Sequence, residues 1–408
     1  MAADPEAGVH AALDRLAGHL PALGIAVSGG GDSLALLHMA SRWGRAAGVG
    51  IAAATVDHAL RPEAAAEAAA VARACAALDL PHAILRWNHD GAPSGNLMAA
   101  ARQARQTLLG EWAAARRLPA VALGHTMDDQ AETLLMRLGR GAGVDGLSGM
   151  AEARDHGGLL WLRPLLGVRR AALRGWLAAR AIPWIDDPTN EDEGFDRIRA
   201  RRAIAALDLP VEALSRSAAH LAEARAALAE SAAALAAGFT ADGGVLRLPD
   251  GVLTAPPELT RRLIAAALRW VTGADYAPRG EEIARLPAAL RQDGQATLGG
   301  VIAVRRGGWV EFIREPAAAQ AGRVSGGIWD RRFRLSDLPP GAVVRCAEPA
   351  DLAGRDWRAA GLPRAALLSA PAVETGGCAI LPLLDAPAGI AATPLRGTAE
   401  FLAILGAH

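Results

Sequence analysis

Two short stretches carry residues whose types and spacing could do chemistry. The first is Ser28-Gly29-Gly30-Gly31-Asp32-Ser33, entered from Ala26-Val27 and followed at once by Leu34-Ala35-Leu36-Leu37. Consecutive glycines permit a tight turn and a close backbone approach. A helix beginning just after them turns its free N–H groups and positive dipole end toward whatever the loop holds, which suits a phosphate. Ser28 and Ser33 could add hydroxyl donors, and Asp32 could hold a magnesium ion. A glycine-rich strand-to-helix turn without a ligand produces the same pattern. The second stretch is Gly124-His125-Thr126-Met127-Asp128-Asp129-Gln130-Ala131-Glu132-Thr133. Here three carboxylates and an imidazole fall at a helix start, with Asp129 and Glu132 on one face. Such a cluster repels itself unless a cation is present: a metal, an arginine or an ammonium ligand. Helix capping by Asp128 and Asp129 accounts for one or two of the acids but not for the histidine. No second His or Cys stands at ligand spacing, which disfavours zinc.

All 43 basic residues are arginine. A phosphate loop ending in Gly-Lys-Ser/Thr is therefore excluded, as is Schiff-base chemistry on a lysine of the chain. The spacing Ser-Gly-Gly-x-Asp-Ser resembles instead the pyrophosphatase loop of the N-type ATP pyrophosphatases. That resemblance implies cleavage of ATP between its α and β phosphates and adenylation of an oxygen on a second substrate.

Both stretches need a scaffold that ends strands at them. Residues 1–20 read as a helix leading to a first strand around Gly24–Val27. A second strand, Val49–Val56, runs into Asp57-His58-Ala59-Leu60-Arg61-Pro62. Glu63–Leu80 and Asn96–Arg117 read as helices, with strands at Pro81–Trp87 and Pro119–Leu123. Strands alternating with helices predict an α/β fold with a doubly wound parallel sheet. Ligands in such sheets bind beyond the C-terminal strand ends, where both stretches fall.

The bulk composition narrows the class. At 408 residues two or three domains are expected. No apolar run approaches the length of a membrane span, and the acidic start Asp4-Pro5-Glu6 does not resemble a secretory signal. Cys75, Cys346 and Cys378 form neither a disulfide framework nor a Cys-x-x-Cys site, which predicts a cytoplasmic protein. Formal net charge is zero, so a nucleic-acid partner would have to be met by a local arginine face.

Several stretches in one order resemble a specific family, tRNA(Ile)-lysidine synthetase. They are Ser28–Ser33, Val56–Arg61, Ala101-Arg102-Gln103-Ala104-Arg105, Gly124–Thr133, Arg140–Met150, Arg163-Pro164-Leu165-Leu166 and Asp187-Pro188-Thr189-Asn190, across roughly residues 22–202. Trp329-Asp330-Arg331-Arg332-Phe333 looks like the opening of that family's C-terminal domain. The resemblance implies that ATP, with Mg2+, adenylates the C2 carbonyl oxygen of the wobble cytidine in a CAU-anticodon isoleucine tRNA. Free L-lysine then displaces AMP to give lysidine.

In that reading Ser28, Gly29, Gly30, Gly31, Asp32 and Ser33 bind ATP, and Asp32 carries the magnesium. Asp129 and Glu132 take lysine's ammonium groups, and Arg105 and Arg197 take its carboxylate. Asp32, Arg105 and His125 are the catalytic candidates, and Arg199, Arg201 and Arg202 meet tRNA phosphates. A solvated arginine-rich helix face is the alternative for the last group. Three positions depart from the family pattern: Thr126 where a second histidine is usual, Gln106 where an aromatic is usual, and Ile198 in place of an asparagine.

Beyond residue 205 the composition shifts to Ala/Leu/Glu-rich helices at Val211–Gly238, Pro257–Thr272 and Arg279–Arg291, with a hairpin over Gln295–Phe312. Ala317–Gly327 reads as a linker. The expected division is a catalytic domain at 1–205, a mostly helical middle domain at 206–316 and a small strand-rich domain at 328–408, the last two contacting tRNA. No membrane partner is expected; a homodimer is compatible with the sequence, which leaves the oligomeric state open. Two other functions fit the same motifs. One is a different ATP pyrophosphatase, such as a tRNA thiolase or an amidating ligase; the other is a non-catalytic tRNA-binding paralogue.

Overall fold

The computed structural model describes residues 4–59, 63–88, 97–185, 196–319, 324–325, 327–385 and 389–406. Leu60-Arg61-Pro62, Asn96, Asp187-Pro188-Thr189-Asn190, Phe195 and much of the expected linker lie outside the described residues. The chain divides into two compact units, Met1–Ala224 and Arg225–His408.

In the first unit, α1 (Pro5–Ala17) leads to β1 (Ala22–Ala26), α2 (Gly31–Ala47), β2 (Gly50–Asp57), α3 (Ala64–Ala77) and β3 (His82–Arg86). Then follow α4 (Leu97–Ala115), β4 (Ala120–Ala122), α5 (Met127–Leu138), α6 (Val144–Leu147), β5 (Ala153–His156), β6 (Leu159–Leu162), α7 (Arg170–Ala178), α8 (Asp196–Ala206) and the first part of α9 (Val211–Leu235), a helix that continues into the second unit. The strands form one six-stranded sheet in the order β3-β2-β1-β4-β6-β5. Five of them are parallel, and β5 returns antiparallel at the edge. Strands covered on both faces read as continuous apolar runs, and Leu23, Ile25, Ala53 and Val121 are fully buried. Under them α2 contributes Leu36, Leu37 and Met39 to the same core. The expected α/β, doubly wound sheet is present.

The β5–β6 hairpin and α7 are elements that the sequence reading does not anticipate. The hairpin turns at Gly157-Gly158, both with positive φ, and brings Trp161 and Leu162 against β4 and the core behind it. It widens the sheet on the side of β4, opposite to β2 and β3.

Strand order places the two chemical stretches together. From β1 the chain proceeds to β2 on one side, while β4 lies on the other, with Gly24 paired to Val121 and Ile25 to Ala122. The loops leaving β1 and β4 are therefore neighbours at the point where the order reverses, and a crevice opens between them. Their contact is tight. A Cβ added to Gly124 would stand 3.1 Å from Ser33 Cα and 3.2 Å from its backbone N. Only glycine lets the end of β4 approach the start of α2 this closely.

The second unit holds a five-stranded antiparallel sheet, β7 (Thr240–Asp242), β8 (Val245–Pro249), β9 (Gln295–Leu298), β10 (Val301–Arg306) and β11 (Trp309–Arg314), ordered β7-β8-β11-β10-β9. Its apolar face packs against α10 (Pro257–Thr272) and α11 (Gly280–Gln292) through Leu246, Leu248, Leu263, Ile264 and Phe312. The turns at Gly299-Gly300 and Gly307-Gly308 join three strands, so the expected hairpin is part of a longer meander. The remainder, from Ile328, forms small antiparallel sheets with short helices. Among the described residues no helix is long and apolar enough to cross a membrane.

Because the atoms facing Gly124 are backbone, they cannot rotate aside. We expect Gly124→Ala to lower stability by about 1–3 kcal/mol, as overpacking does, measured as a shifted urea midpoint. An unchanged midpoint would show that the loop yields.

Candidate active site

The loop after β1 is braced from within. Gly29 has φ +90°, a backbone that side chains rarely adopt, and its carbonyl accepts the Ile185 N–H at 3.0 Å. The Ser33 hydroxyl donates to the Gly30 carbonyl at 2.9 Å and accepts the Ser28 N–H at 3.2 Å. Ser33 thus holds the loop in shape. Ser28 Oγ stands 3.2 Å from it. Asp32 occupies the first turn of α2, where the dipole favours a negative charge.

Asp32 does not stand alone. Its Oδ2 accepts the Arg170 Nε–H at 2.8 Å, and the same guanidinium reaches Asp129 Oδ1 at 3.2 Å and Glu132 Oε1 at 3.4 Å. Arg170 is the first residue of α7. Its backbone N–H donates to Asp128 Oδ2 at 2.7 Å, so Asp128 seats the helix that carries it. Glu132 is 2 % exposed and also accepts the Arg201 Nε–H at 2.9 Å. Arg197 lies 3.7 Å from Asp129. Of the three cations that could relieve the acid cluster, the arginine is present within the chain itself.

Asp129 also caps its own helix. Its Oδ2 accepts both the Thr126 N–H and the Thr126 hydroxyl at 2.8 Å, closing a capping box at the start of α5. Thr126, a departure from the family pattern, is fully buried and makes this cap possible. Capping therefore takes one oxygen of Asp129 and leaves the other facing Arg170. Burial pushes the Asp129 carboxyl up, but Arg170 and the Thr126 amide and hydroxyl outweigh it and hold it below the usual range. For Asp32 the balance is reversed, and burial raises its carboxyl despite Arg170. Burial also opposes the charge on Arg170, yet its three carboxylates more than offset this and hold its proton more tightly than usual.

His125 follows β4 on the other side of Asp129. Burial pushes its imidazole down to about 3, with Arg163, Arg105 and Arg197 adding to the effect and Asp129 opposing it. It is neutral at any ordinary pH, and its Nδ1 has no partner among the described residues. Arg105, on α4, has its guanidinium pKa lowered by burial and by Arg102 and Arg197. In α8, Arg199 pairs with Asp196, which also holds Arg140. The four arginines of this helix thus divide: Arg197 and Arg201 turn to the acids, Arg199 pairs with Asp196, and Arg202 is exposed.

Arg170 is the residue that sequence reasoning missed. Its only signal was position, six residues beyond Arg163-Pro164 at a helix start, with no apolar or acidic pattern to mark it. Magnesium can be tested against this geometry. No three His, Cys, Asp or Glu among the described residues are arranged to hold a metal unaided. Asp32 Oδ1, however, is a buried acceptor with no partner among them. Magnesium is commonly held by one or two carboxylates together with substrate phosphates and water. Asp32 fits such an ion.

A braced glycine loop and an acid cluster at the switch point of a parallel sheet define the class: the PP-loop domain family matches residues 9–207. Relatives extend well beyond that domain. A tRNA(Ile)-lysidine synthase of Ruegeria pomeroyi is 43% identical over 95% of this chain and 94% of its own length. Proteins of the same name from Rhizobium meliloti and Methylobacterium nodulans are 36% and 41% identical, over 83% and 74% of this chain and 78% and 94% of theirs. The chain belongs to the tRNA(Ile)-lysidine synthase family.

Two stability measurements probe this site. Removing the guanidinium with Arg170→Gln leaves three carboxylates facing one another, with Arg197 and Arg201 still beside two of them. We expect a loss of about 2 kcal/mol at neutral pH, discounted from the full cost of an unpaired buried charge. That deficit should shrink toward pH 5 as one carboxyl takes up a proton. A deficit independent of pH would mean that Arg170 acts by packing alone.

His125 adds a dependence of the same sign, through a group that the fold holds neutral. Its folded pKa lies below its unfolded value of about 6.5, so unfolding binds a proton between roughly pH 6.5 and 3, and stability falls as pH falls. His125→Gln should therefore reduce the slope of stability against pH by up to about 1.4 kcal/mol per unit below pH 6. Identical slopes would place a charged histidine in the folded state.

Proposed function

We propose that this chain ligates free L-lysine to C2 of the wobble cytidine of a CAU-anticodon isoleucine tRNA, in two steps at one crevice. The observation that carries the reading is the joining of a phosphate loop to a buried acid pair, Asp129 and Glu132, through one arginine. A loop alone serves any ATP-dependent transfer. An anionic pocket beside it suits a second substrate that bears ammonium groups.

In the first step the loop Ser28–Ser33 and the start of α2 hold ATP. The cytidine O2 attacks the α phosphorus, and pyrophosphate leaves. Asp32 would hold magnesium, which when bound neutralises charge on the phosphates. In the second step the ε-amine of lysine attacks C2, loses a proton, and AMP departs with the former O2. Asp129 and Glu132 meet the ammonium groups of lysine, while Arg105 and Arg197 meet its carboxylate. A neutral His125 donates or accepts one hydrogen bond to orient the base without adding charge. Arg201 belongs with the acids, and Arg199 and Arg202 serve the tRNA backbone. Residues 206–316 and 328–408 act as two tRNA-holding domains. The reading places the protein in the cytoplasm, where tRNA is matured.

The test is incorporation of labelled lysine into that tRNA with ATP present, alongside pyrophosphate release. Asp32→Ala should abolish both. Glu132→Gln should raise the lysine KM by roughly 10- to 100-fold, the worth of a hydrogen bond to a charged group, and leave pyrophosphate release measurable. Pyrophosphate release without lysine incorporation by the unaltered protein would replace this reading with an ATP pyrophosphatase acting on another nucleophile.

A further inference from the structure

Two cavities lie between α4 and the β5–β6 hairpin and share Gln106, His156 and Trp161 as walls. The larger, about 290 Å³, is lined further by Gln103, Thr107, Gly110 and one carboxylate, Glu111; it sits at the lower end of the size range of small-molecule sites. The smaller, about 30 Å³, is lined by Arg102, Arg105, Arg154, Arg163 and His125, and no carboxylate borders it.

Four guanidiniums around one recess repel each other, and burial with Arg154 and Arg102 lowers Arg163 to about 10. Such a cluster is relieved by an anion. Its buried donors are not used up: Arg163 Nε and the Trp161 indole N–H have no partner among the described residues. One Nη of Arg163 does donate to the Ala151 carbonyl at 2.7 Å, which anchors the head group. The carboxylate of lysine, in the reading above, occupies Arg105 and Arg197. Arg102, Arg154 and Arg163 then remain for a second anion. The adjoining cavity offers side-chain amides, which can both donate and accept, and a hydroxyl. That is the chemistry that reads the edge of a base.

We propose that this groove takes one further nucleotide of the RNA substrate, next to the one modified. Its phosphate lies on Arg102, Arg154 and Arg163, and its base lies between Gln103 and Gln106 with Trp161 as floor. The proposal rests on the reading that the substrate is tRNA. It assigns functions to Arg154, Arg163 and Gln106, which the ATP and lysine sites leave without one. Gln106, where the family usually has an aromatic, is then a base-edge contact rather than a stacking one.

The test is filter binding of CAU-anticodon tRNA across a salt series, with the lysine KM measured in parallel. Arg102→Gln with Arg154→Gln removes two rim charges. We expect at least tenfold weaker tRNA binding, a salt slope smaller by about 0.7 for each phosphate no longer neutralised, and an unchanged lysine KM. Gly110→Phe is the second variant. Gly110 lines the larger cavity and a Cβ there meets nothing within 4 Å, so a bulky side chain at this position should narrow the cavity, and tRNA binding should fall while its salt slope holds. Unaltered tRNA binding in both variants overturns the proposal. So does a raised lysine KM with tRNA affinity unmoved, which would make the occupant the carboxylate of lysine. Filter binding needs no turnover, so an unaltered protein that ligates no lysine would refute the catalytic reading and leave the groove's result readable.

Discussion

One guanidinium holds three carboxylates, and the geometry of the crevice depends on it. Asp32 comes from the helix after β1, Asp129 and Glu132 from the helix after β4, and Arg170 from the helix after β6. Unscreened, acids this close would drive the two helix starts apart or take up protons. Arg170 removes that repulsion with the planar, multidentate donor set that arginine has and lysine lacks. Its placement is itself secured, since Asp128 binds the backbone N–H of the same residue. Two neighbouring aspartates thus have separate tasks: one seats the arginine, the other receives it.

Around this centre charge is sorted by side. Asp32, Asp129 and Glu132 face Arg170, while Arg102, Arg105, Arg154 and Arg163 gather near α4 and the β5–β6 hairpin. His125 stands between the two groups, uncharged, and feels both Asp129 and Arg105. A neutral residue at that boundary neither joins the acids nor adds to the arginine repulsion. The proposed substrates are polar in the same sense: an amino acid with ammonium groups at one end and a carboxylate at the other, and a polyanion.

Much of this was legible from residue types. The glycine loop and the acid cluster follow from local patterns, because each is written within about ten consecutive residues, and the parallel sheet follows from the alternation of short strands with helices. Even the need for a cation at Asp129 and Glu132 followed from repulsion. What local pattern could not supply was its source. Arg170 is 38 residues from Glu132 in sequence, and only the folded sheet brings them together. The β5–β6 hairpin was missed for a related reason: Leu159–Leu162 is four residues long, too short for its period to be distinguished from a loop's. Thr126 is a different case. Judged against a family pattern it was a departure, but as a helix cap it answers the adjacent aspartate, and side-chain chemistry explains it where pattern did not.

The close contact between Gly124 and the first turn of α2 has a consequence for how a ligand is met. With the end of β4 against it, and with Ser33 and Ile185 bonded into it, the loop takes its shape when the domain folds. A phosphate arriving there would not have to order it, so little conformational entropy is lost at binding. Recognition becomes a matter of fit: a rigid cradle discriminates by the spacing of oxygens and cannot adapt to an anion of another shape.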